Sequence, residues 1–154
     1  MNTIELKIAC FLCKVSHFLT MDISDENIEK LVSSAVKVRK NSYSPYSGFA
    51  VGASVLAKSG KIYSGTNVEN ASFGLTICAE RSAIFSAISA GETELLALVV
   101  VADNIAYPCG ACRQVFIEFA HPDSDVIIAN PDGKILARTT IGKILPNSFK
   151  FEKL

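Results

Sequence analysis

Apolar positions first fall at helical intervals between residues 28 and 38. Ile28, Leu31, Val32, Ala35, Val36 and Val38 recur behind Ser24, Asp25, Glu26 and Asn27, which have the composition of a helix start. The spacing predicts a helix from residue 24 to residue 40. Residues 41–48 contain Ser-Pro-Tyr-Ser-Gly and predict a loop. Residues 49–57 and 61–66, joined across Ser59-Gly60, predict the two strands of a hairpin, and an Asn/Ser/Gly-rich loop follows over 67–76. Between residues 78 and 90 the period returns to helical, with Ala83, Ile84, Ala87 and Ile88 on one face and Gly91 as the stop. Residues 95–102 are continuously apolar, the mark of a strand covered on both faces. A helix is expected from Cys109-Gly110 to about Ala120, and then a short buried strand over 126–129. A Pro131-Asp132-Gly133 turn leads to a partner strand over 134–138, and a last short helix spans 140–145 before Pro146. Helices and strands alternate from residue 78 onward, so the expected class is α/β, a sheet covered by helices.

Composition narrows the range of functions. The chain has 154 residues, with 15 Lys plus Arg against 15 Asp plus Glu, so its formal charge is zero. That balance argues against a partner held by its phosphate backbone or by an anionic membrane surface. With 49% apolar and 19% charged residues the chain is a core-forming globular protein, long enough for one domain without disulfide staples. Five Cys is an odd count without a secreted framework, which predicts reduced thiols and a cytoplasmic setting. The longest apolar run, residues 95–102, falls well short of the roughly 18 residues a membrane helix needs. Residues 1–20 form an apolar N-terminal extension, and residues 21–154 the expected folded domain. Lys14 and His17 interrupt the apolar stretch over 8–19 and no small-residue cleavage site follows it, so it is not read as a signal peptide. Cys10 and Cys13 in this extension have no second Cys or His pair and read as apolar filler on a short helix. His17 and His121 read as surface histidines.

The chemistry concentrates at three other cysteines. Cys109 and Cys112 form a C-x-x-C behind Pro108, and Cys78 opens the preceding helix, with the buried strand between them. Two helices flanking one strand can bring their N-termini side by side, so the three thiols can converge on a metal ion. Helix N-termini favour thiolate, and three protein ligands leave the fourth vertex of a zinc site open to water, as catalytic zinc requires. Glu80, two residues after Cys78, is too close for easy ligation of the same ion but well placed to carry a proton. Zinc with three thiolates is net negative, and Arg81 and Arg113 are the cations available to offset it. A lone C-x-x-C is more often structural zinc, a redox pair or coincidence, and a non-catalytic zinc-binding module stays open as a rival. The joint pattern of Cys-Ala-Glu and, about thirty residues later, Pro-Cys-x-x-Cys favours a catalytic site and matches the zinc nucleobase-deaminase signature.

At these residues the chain resembles the cytidine deaminase family, in its small homotetrameric form. The likeness covers about residues 28–151. It includes Tyr43-Ser44-Pro45-Tyr46-Ser47, Phe49-Ala50-Val51-Gly52-Ala53, Asn67-Val68-Glu69-Asn70, Cys78-Ala79-Glu80-Arg81, Pro108-Cys109-Gly110-Ala111-Cys112-Arg113-Gln114 and Leu145-Pro146-Asn147-Ser148-Phe149. The resemblance implies a three-layer α/β/α fold around a five-stranded mixed sheet and one Zn2+ per subunit. It also implies hydrolysis of cytidine and deoxycytidine to uridine and deoxyuridine with release of ammonia, a step of pyrimidine salvage. Carried over, it makes Cys78, Cys109 and Cys112 the ligands, Glu80 the proton shuttle and Arg81 the hydrogen-bond donor to the thiolates. It places Asn67 and Glu69 on the ribose 3′-hydroxyl, Phe49 and Phe149 along the base pocket, and the Ala79 backbone on the pyrimidine. Ala71 and Phe73 fall where a neighbouring subunit reaches toward the ribose 5′ end, and Phe73 lacks the hydroxyl of the Tyr often found there. Without the zinc motif, Asn67 and Glu69 would read as solvated turn residues and the two Phe as core aromatics. The enzymatic rival is a deaminase of a related nucleoside such as blasticidin S. Polynucleotide deaminases fit less well, since the chain lacks basic excess and Trp and has Cys78 where those enzymes usually carry His.

Overall fold

The computed structural model describes residues 23–151; the expected extension over 1–20, with Cys10, Cys13 and His17, lies outside them. Helix α1 spans Asp25–Arg39, with the Ser24 hydroxyl accepting from the Asn27 N–H and Asp25 and Glu26 in the first turn. Strands β1 (Gly52–Ala57) and β2 (Ile62–Thr66) form the hairpin. A single 3₁₀ turn (Phe73–Leu75) precedes α2 (Ala79–Ser89), followed by β3 (Leu95–Val101) and α3 (Gly110–Phe119). Then come β4 (Ala120–Ala129), β5 (Ile135–Thr140) and the short α4 (Ile141–Ile144).

The five strands make one mixed sheet in the order β2-β1-β3-β4-β5, with β3 and β4 parallel and the other pairs antiparallel. Side chains alternate across it, and each face has its own core. Leu56, Ala97, Val99, Val101, Ile127 and Ala129 meet Ile28, Leu31, Val32 and Ala35 of α1 on one side. Val55, Leu98, Val100, Val126 and Ile128 meet Ala83, Ile84 and Ala87 of α2, Phe116 of α3 and Ile141 of α4 on the other. This is the expected three-layer α/β/α arrangement, and burial on both faces is why residues 95–102 lack any polar alternation.

Two bounds differ from the sequence expectation by three residues or more. Residues 49–51 are not part of β1, because side chains occupy their backbone groups: Arg39 Nε donates to Ala50 O, Asn67 Nδ2 to Phe49 O, and Val51 N to Asn67 Oδ1. Strand β4 begins at Ala120, six residues earlier than expected, because the chain runs straight from α3 into pairing with Leu95 before the register shifts toward Ala97.

Helix α2 lies directly against β2, and Gly65 is what allows it. A Cβ there would sit 2.4 Å from Ala83 N and 2.6 Å from Ser82 Cβ. Gly65→Ala is expected to destabilise the fold by about 1–3 kcal/mol, lowering Tm by about 5 °C in a thermal melt. Because α2 carries Cys78 and Glu80 at its start, activity should fall with it.

Candidate active site

Strand direction gathers the site. Gly52 pairs with both Thr66 and Val101, and Val101 with Ala129, so the start of β1 and the ends of β2, β3 and β4 share one edge of the sheet. Beyond that edge an antiparallel bridge between Val68 and Ile77 returns the chain to the end of β2 just before α2. Helix α3 starts beyond the end of β3, on the same edge. Ligand sites of open α/β sheets form in such a place.

The two helices present cysteines at their N-termini. Cys78 is the N-cap of α2 and Cys109 the N-cap of α3, while Cys112 lies one turn into α3 and is fully buried. Cys78 Sγ is 4.0 Å from Cys109 Sγ, Cys109 Sγ is 3.5 Å from Cys112 Sγ, and all the sulfurs lie within 4.8 Å of one another. An ion held tetrahedrally at about 2.3 Å from each sulfur sets the sulfurs about 3.8 Å apart, which these spacings bracket. The donor set therefore fits zinc, and among the described residues the three cysteines form the one cluster of this kind.

Arg81 Nη2 donates to Cys78 Sγ at 3.5 Å, while Arg81 Nε is buried without a partner among the described residues. Hydrogen bonding from the Cys112 thiol, then from Arg81, brings Cys78 down to about 5 against the cost of burial. Cys112 is pushed up, because its proton is the one shared with Cys78 and its side chain is buried. The second expected cation does not reach the sulfurs. Arg113 donates instead to Pro108 O at 2.7 Å and Ile144 O at 2.8 Å, tying α3 to the end of α4 where the last helical carbonyls need donors.

Glu80, 6% exposed, lies in the first turn of α2 beside this cluster. Burial raises its pKa, and the neighbouring Cys78 thiolate adds to the rise. A carboxyl so placed exchanges a proton near neutrality more readily than an ordinary surface Glu, as a general acid/base requires.

The loops on the same edge bring most of the remaining expected residues together. Asn67, 9% exposed, accepts from Val51 N at 2.9 Å and Ser42 Oγ at 2.6 Å through Oδ1 and donates to Phe49 O at 2.8 Å through Nδ2. Much of its side chain is thus spent holding the 49–51 segment, a duty the sequence did not signal. Glu69 is half-buried, and its carboxylate accepts from Tyr46 N at 2.8 Å, Ser47 N at 3.3 Å and the Ser47 hydroxyl. The Ser47 hydroxyl is the main reason its pKa is lowered. Ala79 is fully buried at the start of α2; Ala71 and Phe73 are exposed, and the Phe73 ring packs edge-on against Tyr46 at 5.7 Å. Phe149 is 73% exposed, with its carbonyl held by Gln114 Nε2 of α3 at 3.0 Å. His121 lies in β4, partly buried and turned back on Asp123, away from any role with the cysteines. Sequence reasoning missed Ser42 and Ser47; a hydroxyl in a turn is visible in the sequence, but the group it will hold is not.

Comparison with known proteins shows the family. Residues 25–129 match the family model of the cytidine and deoxycytidylate deaminase zinc-binding region. The chain is 46% identical over 130 residues to a cytidine deaminase of Sporosarcina psychrophila, covering 83% of this chain and 95% of that protein. It is 44% identical over 128 residues to the cytidine deaminase of Halalkalibacterium halodurans, covering 82% and 96%. The crystal structure of cytidine deaminase from Burkholderia pseudomallei superposes with a TM-score of 0.74 at 41% identity, over 82% of this chain and 100% of that one. A trio of cysteines spaced for zinc at two helix starts, with an acid beside it, is therefore found here in a chain that belongs to the cytidine deaminase family.

Proposed function

We infer that this chain hydrolyses cytidine and deoxycytidine to uridine and deoxyuridine, releasing ammonia, with one zinc ion held by Cys78, Cys109 and Cys112. The observation that carries this reading is the convergence of those three sulfurs beside the buried carboxyl of Glu80. Zinc bound at such a site supplies Lewis acidity that makes a water nucleophilic at neutral pH. Glu80 takes the proton the attacking water gives up and passes it to N3 of the ring as C4 becomes tetrahedral; it then takes the remaining proton of the C4 hydroxyl, as that becomes the product carbonyl, and delivers it to the departing amine. Arg81 and the two helix N-termini draw negative charge from the sulfurs, which offsets the excess of three thiolates over one divalent ion.

In this reading Phe49 and Phe149 flank the base, the Ala79 backbone contacts the pyrimidine, and Asn67 and Glu69 receive the ribose 3′-hydroxyl. Asn67 keeps one N–H of its amide beyond the bond to Phe49. Exposed apolar side chains, among them Phe49, Phe73, Leu75, Phe149 and Phe151, favour a homotetramer in which neighbours cover them and bring Ala71 and Phe73 toward the ribose 5′ end. Among the described residues no helix is long and apolar enough to cross a membrane. A reduced thiol site and balanced charge fit a cytoplasmic enzyme of pyrimidine salvage acting on free nucleosides.

The test is loss of ultraviolet absorbance and release of ammonia when zinc-loaded protein meets cytidine, deoxycytidine or blasticidin S. Turnover of the two nucleosides with equimolar ammonia is expected. Turnover of blasticidin S alone reassigns the substrate, and no turnover by metal-loaded protein favours a binding module.

A further inference from the structure

We propose that Ser47 is a positioning residue for nucleoside binding, acting through Glu69. The geometry is a relay that starts on the base side and ends on the sugar side. The Phe49 N–H donates to Ser47 Oγ at 3.0 Å, which fixes the hydroxyl and leaves its single proton to be donated to Glu69 Oε1. Glu69 Oε2 already accepts from Tyr46 N at 2.8 Å and Ser47 N at 3.3 Å. One lone pair on Oε1 is thereby kept for an incoming hydroxyl, and the carboxylate is held in one orientation. A Glu without such partners spends rotamer freedom on binding, so a carboxylate ordered in advance binds with less loss of entropy. Phe49 is clamped on its other side as well, since Asn67 Nδ2 donates to its carbonyl at 2.8 Å. The ring that flanks the base and the acid that receives the sugar are thus parts of one hydrogen-bonded unit, with Ser47 as the link.

This rests on the assignment of Glu69 to the sugar, and the experiment separates the two. In zinc-loaded full-length enzyme, Ser47→Ala is expected to raise KM for cytidine about five- to tenfold while kcat stays within about twofold. Ser47→Thr, which keeps the hydroxyl at an exposed position, should restore KM. Glu69→Ala should raise KM further, and adding Ser47→Ala to it should change nothing more, because the two act in series. If Glu69→Ala raises KM but Ser47→Ala does not, or if the two increases multiply, the role of Ser47 is overturned and that of Glu69 stands. If Glu69→Ala leaves KM unchanged, the sugar assignment fails and the Ser47 proposal with it.

Discussion

Glu80→Gln should lower kcat on cytidine by about 10²- to 10⁴-fold or more, the usual contribution of a positioned proton carrier, with zinc content unchanged. Gln has the volume and hydrogen-bonding reach of Glu but cannot hold or return a proton. The same substitution should also stabilise the protein. Glu80 is buried and its pKa is raised, first by burial and then by the Cys78 thiolate, so the fold disfavours its charged form. A carboxyl with a folded pKa above its unfolded one costs nothing while both forms are protonated. Its penalty opens as pH rises through the ordinary carboxylate range and is complete above the raised value. In zinc-free protein, the Tm of Glu80→Gln should therefore exceed that of the wild type at neutral pH, with the gap closing on acidification. Thermal melts across pH check the second effect and steady-state kinetics the first. A Glu80→Gln variant with near-native turnover removes Glu80 from the chemistry.

Stripping zinc should abolish activity and lower Tm by about 10 °C, with both restored by added Zn2+. A ligand present at about a thousand times its Kd stabilises the fold by about 4 kcal/mol, and each kcal/mol moves a domain of this size by about 2–4 °C. Cys112→Ala should reproduce the loss of activity without recovery on adding zinc, because Cys112 is fully buried at the floor of the cluster and no further ligand joins the three cysteines among the described residues. Retention of the metal should weaken in acid. The Cys112 thiol is pushed up by its bond to Cys78 and by burial, so zinc must displace a firmly held proton, and falling pH favours the proton. Atomic absorption after dialysis against chelator at several pH values measures this directly.

The helices and central strands are legible in the chain because their periods are strong: Ile28, Leu31, Val32 and Ala35 for α1, and an unbroken apolar run for β3. The metal site is legible for a related reason, since the motif residues sit at or just inside helix starts that the apolar pattern locates. The loops are less so. Residues 49–51 have the composition of a strand, but Asn67 and Arg39, distant in sequence, claim their backbone groups. Arg113 sits next to Cys112 in sequence, yet its side chain is drawn to the carbonyls of Pro108 and Ile144, a destination set by how α4 packs. Left-handed Gly48, at φ 68°, closes the turn that aims Ser47 at Glu69, and no periodicity announces which acid that turn will meet.

X-ray absorption at the zinc edge of the purified, active protein reads the metal's surroundings most directly. Three sulfurs at about 2.3 Å and one oxygen at about 2.0–2.1 Å are expected, a site with a vertex left for substrate water next to Glu80. Four protein ligands, or coordination by fewer than three sulfurs, would contradict a hydrolytic centre built on Cys78, Cys109 and Cys112.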